Sequence, residues 1–348
     1  MAQVMTKSDT ALAFLNQFEQ KSRHIFTAGH APGYWSNLSP SQNAELVSML
    51  GTRPTRECIE AVQPALSDVI FSDRRAAALE LLQLNGTEVA VDYGCMWGAI
   101  AIPLAKQAAR VLAIDQTFES LRFSEARAQE AGLSNMSFLC GNLRDLQLPP
   151  ETFDVAIVNG VLEWIPEQEP VVVGQYVERA DERRSSGNPG EMQLAFLAKV
   201  CTELKPGGRL LLAIENRFDY KMFCGVRDPH TGTLFTTIAP RGLANVISKV
   251  SRSREYRPWI YSFAGTEALL KRAGFSAVDL YACWPDYRFP ERIQLRDADN
   301  TGFSPTTARN AAGAITAKRL IANRLEWLLF KALRLNGLAP SIIAIARR

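Results

Sequence analysis

A predicted strand that ends in an acidic residue and continues into a glycine turn is the first feature with chemical meaning. The strand Glu88–Asp92 is followed by Gly94 and Gly98, and a helical pattern begins near Ala99. A strand, turn and helix in this order place backbone N–H groups at the carboxyl edge of a parallel sheet, where open α/β folds bind ligands. Glycine is favoured in the turn because a side chain would collide with the ligand or forbid a positive φ.

A second acidic residue, Asp115, stands at the end of the next predicted strand. A carboxylate in this position accepts hydrogen bonds from the hydroxyl groups of a ribose, as in nucleotide sites. These two features predict a nucleotide-type ligand, and alone they fit a nicotinamide dinucleotide equally well. Three non-glycine residues separate Gly94 from Gly98, however, so the GxGxxG pattern that accommodates a pyrophosphate is absent.

Two later segments narrow the choice of ligand. The run Phe153–Ile165 is a buried strand that leads into a helix, and Leu204–Ile214 is a helix end, a Pro206-Gly207-Gly208 turn and a second buried strand. With these segments, residues 88–215 resemble the class I S-adenosylmethionine (SAM)-dependent methyltransferases. The resemblance implies an α/β fold, a Rossmann-like seven-stranded class I methyltransferase sheet, and SAM as the cofactor.

The resemblance also implies a set of cofactor-binding residues, each at a position that matches a family motif. These are Gly94, Cys95 and Gly98 at the methionine end with Asp92 beneath the turn, Asp115 at the ribose, Gln116 and Asn142 at the adenine, and Asn159 and Gly160 near the sulfonium. The departure from the family is Met96, which stands where the middle glycine is usual. We expect Met96 either to narrow the turn or to weaken cofactor binding.

Methyl transfer to a hydroxyl group requires that the acceptor oxygen lie in line with the methyl group. A base can assist by taking the hydroxyl proton. His230 lies after the fifth predicted strand, above the carboxyl edge of the sheet, and is the predicted base. The alternative is a loop histidine that fixes local structure or binds substrate. Glu215, at the end of the fifth strand, is the second predicted catalytic residue or an orienter of acceptor hydroxyls. Glu163, Asp228 and Asp286 are further candidates.

A narrower resemblance concerns the acceptor. It rests on the segments 213–221, 228–232, 269–275 and 285–290. Over about 210–295 the chain resembles a bacterial subgroup of methyltransferases found alongside glycosyltransferases of surface-polysaccharide synthesis, which implies a sugar, glycan or glycolipid hydroxyl as acceptor. Two alternatives stay open. One is a SAM-fold protein without methyl transfer that acts as a partner in a biosynthetic complex, and the other is transfer to another small-molecule hydroxyl or amine.

The end of the fourth predicted strand disfavours two other chemistries. Enzymes that methylate base amino groups carry Asn/Asp-Pro-Pro-aromatic there, whereas this chain has Asn159-Gly160-Val161-Leu162. Metal-dependent catechol-type enzymes place an aspartate at that strand end to hold a divalent ion, and Asn159 does not match it. The sequence therefore predicts neither a nucleic-acid substrate nor a metal.

The elements that must position these residues form two predicted parts. Residues 1–86 have helical spacing with Pro and Gly breaks and predict an N-terminal helical cap, whereas residues 87–348 form the methyltransferase domain with insertions of about 166–190, 218–260 and 285–339 after strands 4, 5 and 6. The seven predicted strands are Glu88–Asp92, Val111–Asp115, Met136–Cys140, Phe153–Asn159, Arg209–Glu215, Ser276–Ala282 and Ile342–Ala346.

The composition of the chain limits which binding partners and which cellular compartment are expected. The 39 basic and 36 acidic residues nearly balance, which argues against nucleic acid as the main partner. Six scattered cysteines without ligand spacing, and no secretory signal, predict a cytoplasmic protein. No apolar run is long enough to predict a membrane span. The basic, amphipathic stretch 314–335 predicts a helix that packs on the sheet or on a second copy, or a peripheral membrane contact. The oligomeric state stays open.

Overall fold

A single mixed sheet forms the centre of the molecule. The computed structural model describes residues 11–28, 38–167, 187–297 and 325–348. Within these residues the strands are β1 (Glu19–Gln20), β2 (Ile25–Thr27), β3 (Val89–Tyr93), β4 (Arg110–Asp115), β5 (Met136–Cys140), β6 (Phe153–Asn159), β7 (Leu204–Glu215), β8 (Ala277–Trp284), β9 (Arg292–Leu295) and β10 (Ser341–Arg347). They pair in the order β1-β2-β5-β4-β3-β6-β7-β10-β8-β9.

The central strands explain the position of the ligand cleft. Strands β5, β4, β3, β6 and β7 are mutually parallel, and their Val-, Ile-, Leu- and Ala-rich runs are buried, as expected for strands covered on both faces. Strand β10 lies antiparallel between β7 and β8. Because β4 and β6 flank β3 on opposite sides, the carboxyl ends of β3 and β6 border a topological switch point, where such sheets bind ligands.

The number of strands differs from the prediction of seven. All seven predicted strands have counterparts, in β3 to β8 and β10, but the described residues contain β1, β2 and β9 as well. Strand β2 pairs in parallel with β5 and extends the sheet, so the N-terminal segment is not a purely helical cap. Strands of two to four residues are too short to produce the alternating pattern that identifies a strand in a sequence.

Helices cover both faces of the sheet and form the cap. In the cap they are α1 (Pro40–Met49), α2 (Thr55–Val62), α3 (Ser67–Phe71) and a 3-10 helix at Asp73–Leu82. The remaining α-helices are α4 (Ala101–Ala105), α5 (Phe118–Glu130), α6 (Pro189–Glu203), α7 (Tyr220–Phe223), α8 (Arg241–Arg252) and α9 (Phe263–Arg272). One face of the sheet buries residues of α6 and α9, and the other buries residues of α4 and α5.

The cap is attached to the cofactor turn by its own apolar cluster. Leu46 of α1, Ile59 of α2 and Ile70 of α3 are buried together with Trp97 and Phe123. The rings of Trp97 and Phe123 meet edge to face, with centroids 5.4 Å apart. Trp97, from the glycine turn, therefore packs against the cap.

The insertion after β7 is an ordered layer around one buried carboxylate. Asp228 accepts hydrogen bonds from the backbone N–H groups of His230 and Thr231, and from the hydroxyl groups of Thr237 and Tyr256, at 2.7 to 3.0 Å. A buried carboxylate with this many donors fixes the loop that carries it. The predicted charged insertion after β6 falls largely in residues 168–186, which lie outside the described residues.

The segment before β10 reaches the core through an aromatic side chain. Within the predicted amphipathic stretch, residues 314–324 lie outside the described residues, and a π-helix spans Trp327–Ala332. Phe330 is buried against the rings of Tyr220 and Trp284, whereas Leu328 and Leu335 are exposed. The packing of this stretch on the core is thus seen at Phe330, and the membrane contact stays a prediction. Among the described residues, no helix has the length and apolarity to cross a membrane.

Candidate functional site

A cleft of about 680 Å³ lies at the carboxyl ends of the parallel strands. Eight of the nine predicted cofactor residues line it, together with both predicted catalytic residues: Asp92, Gly94, Cys95, Asp115, Gln116, Asn142, Asn159, Gly160, Glu215 and His230. The exception is Gly98, whose added Cβ would lie 3.0 Å from Ser124 Oγ of helix α5 rather than in the cleft. Gly98 therefore permits close packing of the turn on α5, and its backbone contact with the cofactor stays a prediction.

The glycine turn is held by the neighbouring strand. The N–H groups of Gly94 and Cys95 both donate to the carbonyl oxygen of Ile114, at 2.8 and 2.9 Å. A Cβ on Gly94 would lie 2.5 Å from Val161 Cγ2, and its φ of +74° is one that side chains disfavour. Glycine at position 94 is therefore required by both backbone conformation and space.

Met96 adopts the conformation of the glycine it replaces. Its φ is +48°, in the left-handed region, and its backbone N–H donates to Asp115 Oδ2 at 2.8 Å. Its side chain packs against the cap cluster and also lines the cleft. Neither the conformation nor the hydrogen bond to Asp115 was evident from the sequence, because a motif position does not reveal the partner of a backbone N–H.

Asp115 joins this turn to the predicted ribose position. Besides the bond from Met96, its Oδ1 accepts the backbone N–H of Thr117 at 2.8 Å. Each carboxylate oxygen accepts more than one hydrogen bond, so both oxygens keep capacity for a ribose hydroxyl. Burial raises the pKa of Asp115, and the hydrogen bonds from Thr117 and Met96 oppose that rise.

Asp92 and Arg75 are two ionisable residues of opposite charge type that line the cleft. Asp92 is buried, and its Oδ2 has no hydrogen-bond partner among the described residues. Burial raises the pKa of Asp92 to about 7, the charge on Asp115 adds to the rise, and Arg75 opposes it. Arg75, from the 3-10 helix of the cap, lines the same cleft, and its buried Nε has no hydrogen-bond partner in the described part of the chain.

Sequence reasoning missed Arg75, because a single arginine in a helical cap carries no motif. Its guanidinium and the carboxylate of Asp92 offer one positive and one negative group in the same cleft. This pair matches the carboxylate and ammonium groups of an amino acid, and Arg is well suited to bind a carboxylate through two N–H donors.

The other end of the cleft holds the acceptor cluster, which we define as Glu163, Glu215 and His230. Glu163 follows β6, Glu215 ends β7, and His230 comes from the insertion after β7. His230 Nε2 lies 3.5 Å from Glu215 Oε2, and its Nδ1 lies 3.4 Å from Asp228 Oδ1. The His230 ring also meets Trp164, with centroids 5.1 Å apart. The structure therefore brings Glu163 and both predicted catalytic residues together.

Burial and charge act in opposite directions on these groups. Burial raises the pKa of Glu163 to about 8, and the nearby charge of Glu215 adds to the rise. Burial alone would lower the pKa of His230, but the Glu215 and Asp228 carboxylates hold it well above its usual value. Burial would likewise raise the pKa of Glu215, and His230 instead holds it below the usual range. The neighbouring carboxylates thus favour the protonated, positively charged form of His230.

Tyr287 closes the cleft between the two ends. Its hydroxyl group lies 3.3 Å from Glu215 Oε1, to which it donates, and a Cβ on Gly160 would lie 2.5 Å from that hydroxyl oxygen. Tyr287 and Arg288 line the cleft and were not predicted individually. The predicted candidate Asp286 instead accepts the backbone N–H groups of Arg288 and Phe289 and does not line the cleft. Asp228, which does not line the cleft either, lies beside Nδ1 of His230.

The strand order and this cleft define a SAM-dependent methyltransferase domain, and comparison with known proteins agrees. Residues 84–250 match the family model described as methyltransferase domain. A segment of 160 residues, 45% of the chain, is 28% identical to 69% of a Methanothermobacter thermautotrophicus protein named "Probable cobalt-precorrin-6B C(15)-methyltransferase (decarboxylating)". A segment of 127 residues, 36% of the chain, is 24% identical to 41% of the ubiquinone biosynthesis O-methyltransferase of a Methylobacterium species.

A solved structure of a SAM-dependent methyltransferase from Mesorhizobium loti is 17% identical, with a TM-score of 0.43, and the match covers 80% of this chain and all of that one. The chain spans less than half the length of the ubiquinone biosynthesis relatives. The match to a methyltransferase domain and the methyltransferase relatives support a SAM-dependent methyltransferase with SAM as its cofactor.

The cleft itself fits this cofactor. Its volume lies in the range of small-molecule sites. The unpartnered Oδ2 of Asp92 and Nε of Arg75 offer an acceptor and a donor at one end, and Asp115 offers acceptors farther along. These residues suit an amino-acid group and a ribose held in one cavity.

Proposed function

We propose that this chain transfers a methyl group from SAM to a hydroxyl group of a sugar, glycan or glycolipid intermediate. The observation that carries the proposal is that one cavity joins the cofactor turn to the acceptor cluster. Asn159 ends β6, Gly160 follows it, and both line the cleft that joins the turn to the cluster. An acceptor bound at the cluster would therefore face the sulfonium end of the cofactor.

At the cofactor end, each residue contacts a particular group of SAM. Arg75 binds the carboxylate of the amino-acid group, Asp92 binds its ammonium group, and Asp115 accepts the ribose hydroxyls. Because Asp115 also holds the N–H of Met96, the ribose contact and the shape of the turn depend on the same carboxylate. Gln116 and Asn142 line the cleft beyond Asp115, where the adenine would lie.

At the acceptor end, Glu215 and His230 bind the hydroxyl group, and the Glu215 carboxylate, which His230 holds in its ionised form, takes the hydroxyl proton. When bound, SAM supplies a methyl group on a sulfonium sulfur: the acceptor oxygen forms a bond to carbon, the carbon–sulfur bond breaks with its electrons going to sulfur, and the hydroxyl proton is released. Positioning of the oxygen supplies a large part of the acceleration in such a reaction. The Tyr287 hydroxyl and the Asp228 carboxylate hold Glu215 and His230 in place.

The chemistry of the cleft wall supports a polyhydroxylated acceptor. Glu163, Glu215, His230, Tyr287 and Arg288 provide several charged and hydrogen-bonding groups in succession. Each sugar hydroxyl can both donate and accept a hydrogen bond, so it can use carboxylate, phenol and guanidinium groups. The resemblance of residues 210–295 to methyltransferases of surface-polysaccharide synthesis points to the same class of acceptor.

Transfer of labelled methyl groups tests the proposal. Purified protein is incubated with methyl-labelled SAM and a panel of nucleotide sugars and oligosaccharides, alongside a dihydroxyphenol and a small primary amine. We expect label in a sugar as a base-stable methyl ether, and no transfer by a Glu215→Gln variant that retains SAM affinity. Glu167→Gln, a change in the same cleft wall but outside the cluster, is the matched control.

Two outcomes would contradict the proposal. Label found only in the phenol or the amine would assign the site to a different acceptor. Tight SAM binding without transfer to any sugar would favour a SAM-binding partner protein. Calorimetric titration with SAM and S-adenosylhomocysteine, run on the same preparation, establishes that the cofactor site is intact in either case.

A further inference from the structure

Glu163 is a buried carboxylate without a partner in the described part of the chain. It has no solvent exposure, and neither Oε1 nor Oε2 has a hydrogen-bond partner there. Burying an ionised carboxylate without compensation costs several kcal/mol, so buried carboxyl groups are normally protonated, paired or bound to a metal. Glu215 Oε2, in the same cluster, is also without a hydrogen-bond partner among the described residues, and His230 Nε2 lies 3.5 Å from it.

The donor atoms of the acceptor cluster converge. One ligand atom each from Glu163, Glu215 and His230 lies within 4.8 Å of the others. Metal ligands lie about 2.0–2.2 Å from transition-metal ions, so donors on opposite sides of one ion are roughly 4 Å apart. A small closure of the three side chains therefore suffices to enclose one cation.

His230 is oriented as a metal-binding histidine would be. Its Nδ1 faces the Asp228 carboxylate at 3.4 Å, and its Nε2 faces Glu215. Asp228 is itself fixed by the Thr237 and Tyr256 hydroxyls at 2.7 and 2.9 Å. Metal-binding histidines commonly direct the second ring nitrogen to a carboxylate that fixes their tautomer and orientation. The arrangement leaves Nε2 directed toward the cluster and the cleft.

We propose that Glu163, Glu215 and His230 bind a divalent first-row transition-metal cation, which in turn binds the acceptor hydroxyl. Three protein ligands leave coordination positions open toward the cleft, as in catalytic metal sites. Carboxylates suit Mn²⁺ and imidazole suits Zn²⁺ and Fe²⁺, so the mixed set favours this class over Mg²⁺ or Ca²⁺. A cation here would lower the pKa of the bound hydroxyl and orient it.

The role of the cation in catalysis rests on the proposed hydroxyl acceptor, whereas its binding does not. The proposal departs from the expectation of no metal, which considered only Asn159 at the end of β6. The ligands proposed here come from three separate segments, and only the fold brings them together. The carboxylate that the catechol-type pattern requires at Asn159 is absent, and this site lies farther along the cleft.

Metal binding can be measured without any acceptor. The full-length protein is freed of metal with a chelator and titrated with Mn²⁺ by electron paramagnetic resonance, and with Co²⁺ by visible absorption. We expect one ion per chain and d–d bands of Co²⁺ bound to nitrogen and oxygen. Glu163→Gln should weaken binding by about 100-fold or more, because loss of a second-layer partner alone costs about 10–100-fold.

Two further variants complete the test. Glu215→Gln should weaken binding similarly and serves if Glu163→Gln folds poorly, while Glu167→Gln should leave metal affinity unchanged. SAM affinity, measured on every variant, confirms that the cleft is folded. Absence of stoichiometric binding in wild-type protein that binds SAM, or unchanged metal affinity in Glu163→Gln and Glu215→Gln, would overturn the proposal.

The outcome is separable from that of the proposed function. Sugar methylation that continues at full rate after metal removal would overturn the metal's role in catalysis while the proposed function stands. Stoichiometric Mn²⁺ binding that depends on Glu163, in a protein that methylates only a phenol, would support the metal site and reject the sugar acceptor.

Discussion

Replacement of Arg75 by methionine tests how the cleft holds the amino-acid end of SAM. Arg75 is a cap residue that lines the cleft. Its buried Nε has no hydrogen-bond partner among the described residues, and its charge opposes the rise in the pKa of Asp92. Methionine keeps much of the length of the side chain and removes the charge. If Arg75 binds the SAM carboxylate, its loss should weaken SAM binding and leave the rest of the cleft intact.

The size of the effect follows from the interaction lost. Hydrogen bonds to charged groups contribute about 1.5–3 kcal/mol. A loss of this size corresponds to a decrease in SAM affinity of about 10- to 150-fold. The stability of the free protein should change little, because the hydrogen bond that Arg75 donates from Nη1 to the Arg288 carbonyl is long, at 3.5 Å.

The assay compares two ligands by calorimetric titration. Methylthioadenosine has the adenine, ribose and sulfur of SAM but not the amino-acid group, so Arg75→Met should lower SAM affinity and leave methylthioadenosine affinity unchanged. Arg74→Met is the matched control, because the neighbouring Arg74 pairs with Glu291 at 2.9 Å and does not line the cleft. Equal losses for both ligands, or a SAM affinity within twofold of wild type, would refute this assignment.

Three other predictions follow from the same geometry. Asp115→Asn should weaken SAM and methylthioadenosine alike, by about tenfold or more in calorimetry, because it removes a charged acceptor from ribose and turn. Because the pKa of Asp92 is about 7 and only the carboxylate binds an ammonium group, SAM affinity should rise from pH 6 to 8 and then level off, a dependence that Asp92→Asn should abolish. Gly160→Ala should destabilise the protein in urea unfolding by more than Gly132→Ala: both glycines have φ near +66°, but only at Gly160 would a Cβ meet Tyr287. Equal costs at the two glycines would show that the Tyr287 contact is unimportant.

The sequence predicted the elements that form because of residues close together in the chain. Buried parallel strands need continuous apolar runs, and for this reason β3 to β7 were found close to their observed bounds. The carboxyl ends of such strands meet at one edge, so Asp92, Asp115 and Asn159 could be placed together before any coordinates were known. Short strands such as β2 and the edge strands β1 and β9 lack that signal and were missed.

The residues that complete the site depend on contacts between distant segments. Arg75 reaches the cleft from the cap, Tyr287 from the segment after β8, and His230 from the insertion after β7. The position of His230 above the sheet was predicted from the order of elements, but its partners were not. Its contacts with Glu215 and Asp228 arise because the threonine-rich loop folds around the Asp228 carboxylate, which no periodic pattern reveals.

Met96 shows why a departure from a family motif need not remove its function. The turn requires a left-handed residue at this position, and a side chain there costs about 1–2 kcal/mol. The backbone N–H that Asp115 accepts is available from methionine as well as from glycine. The side chain packs against the cap cluster, and this burial offsets part of the cost. Because Leu66 and Ile70 of the cap also line the cleft, Met96 connects the cap to the cofactor turn, and the cap forms one wall of the SAM site.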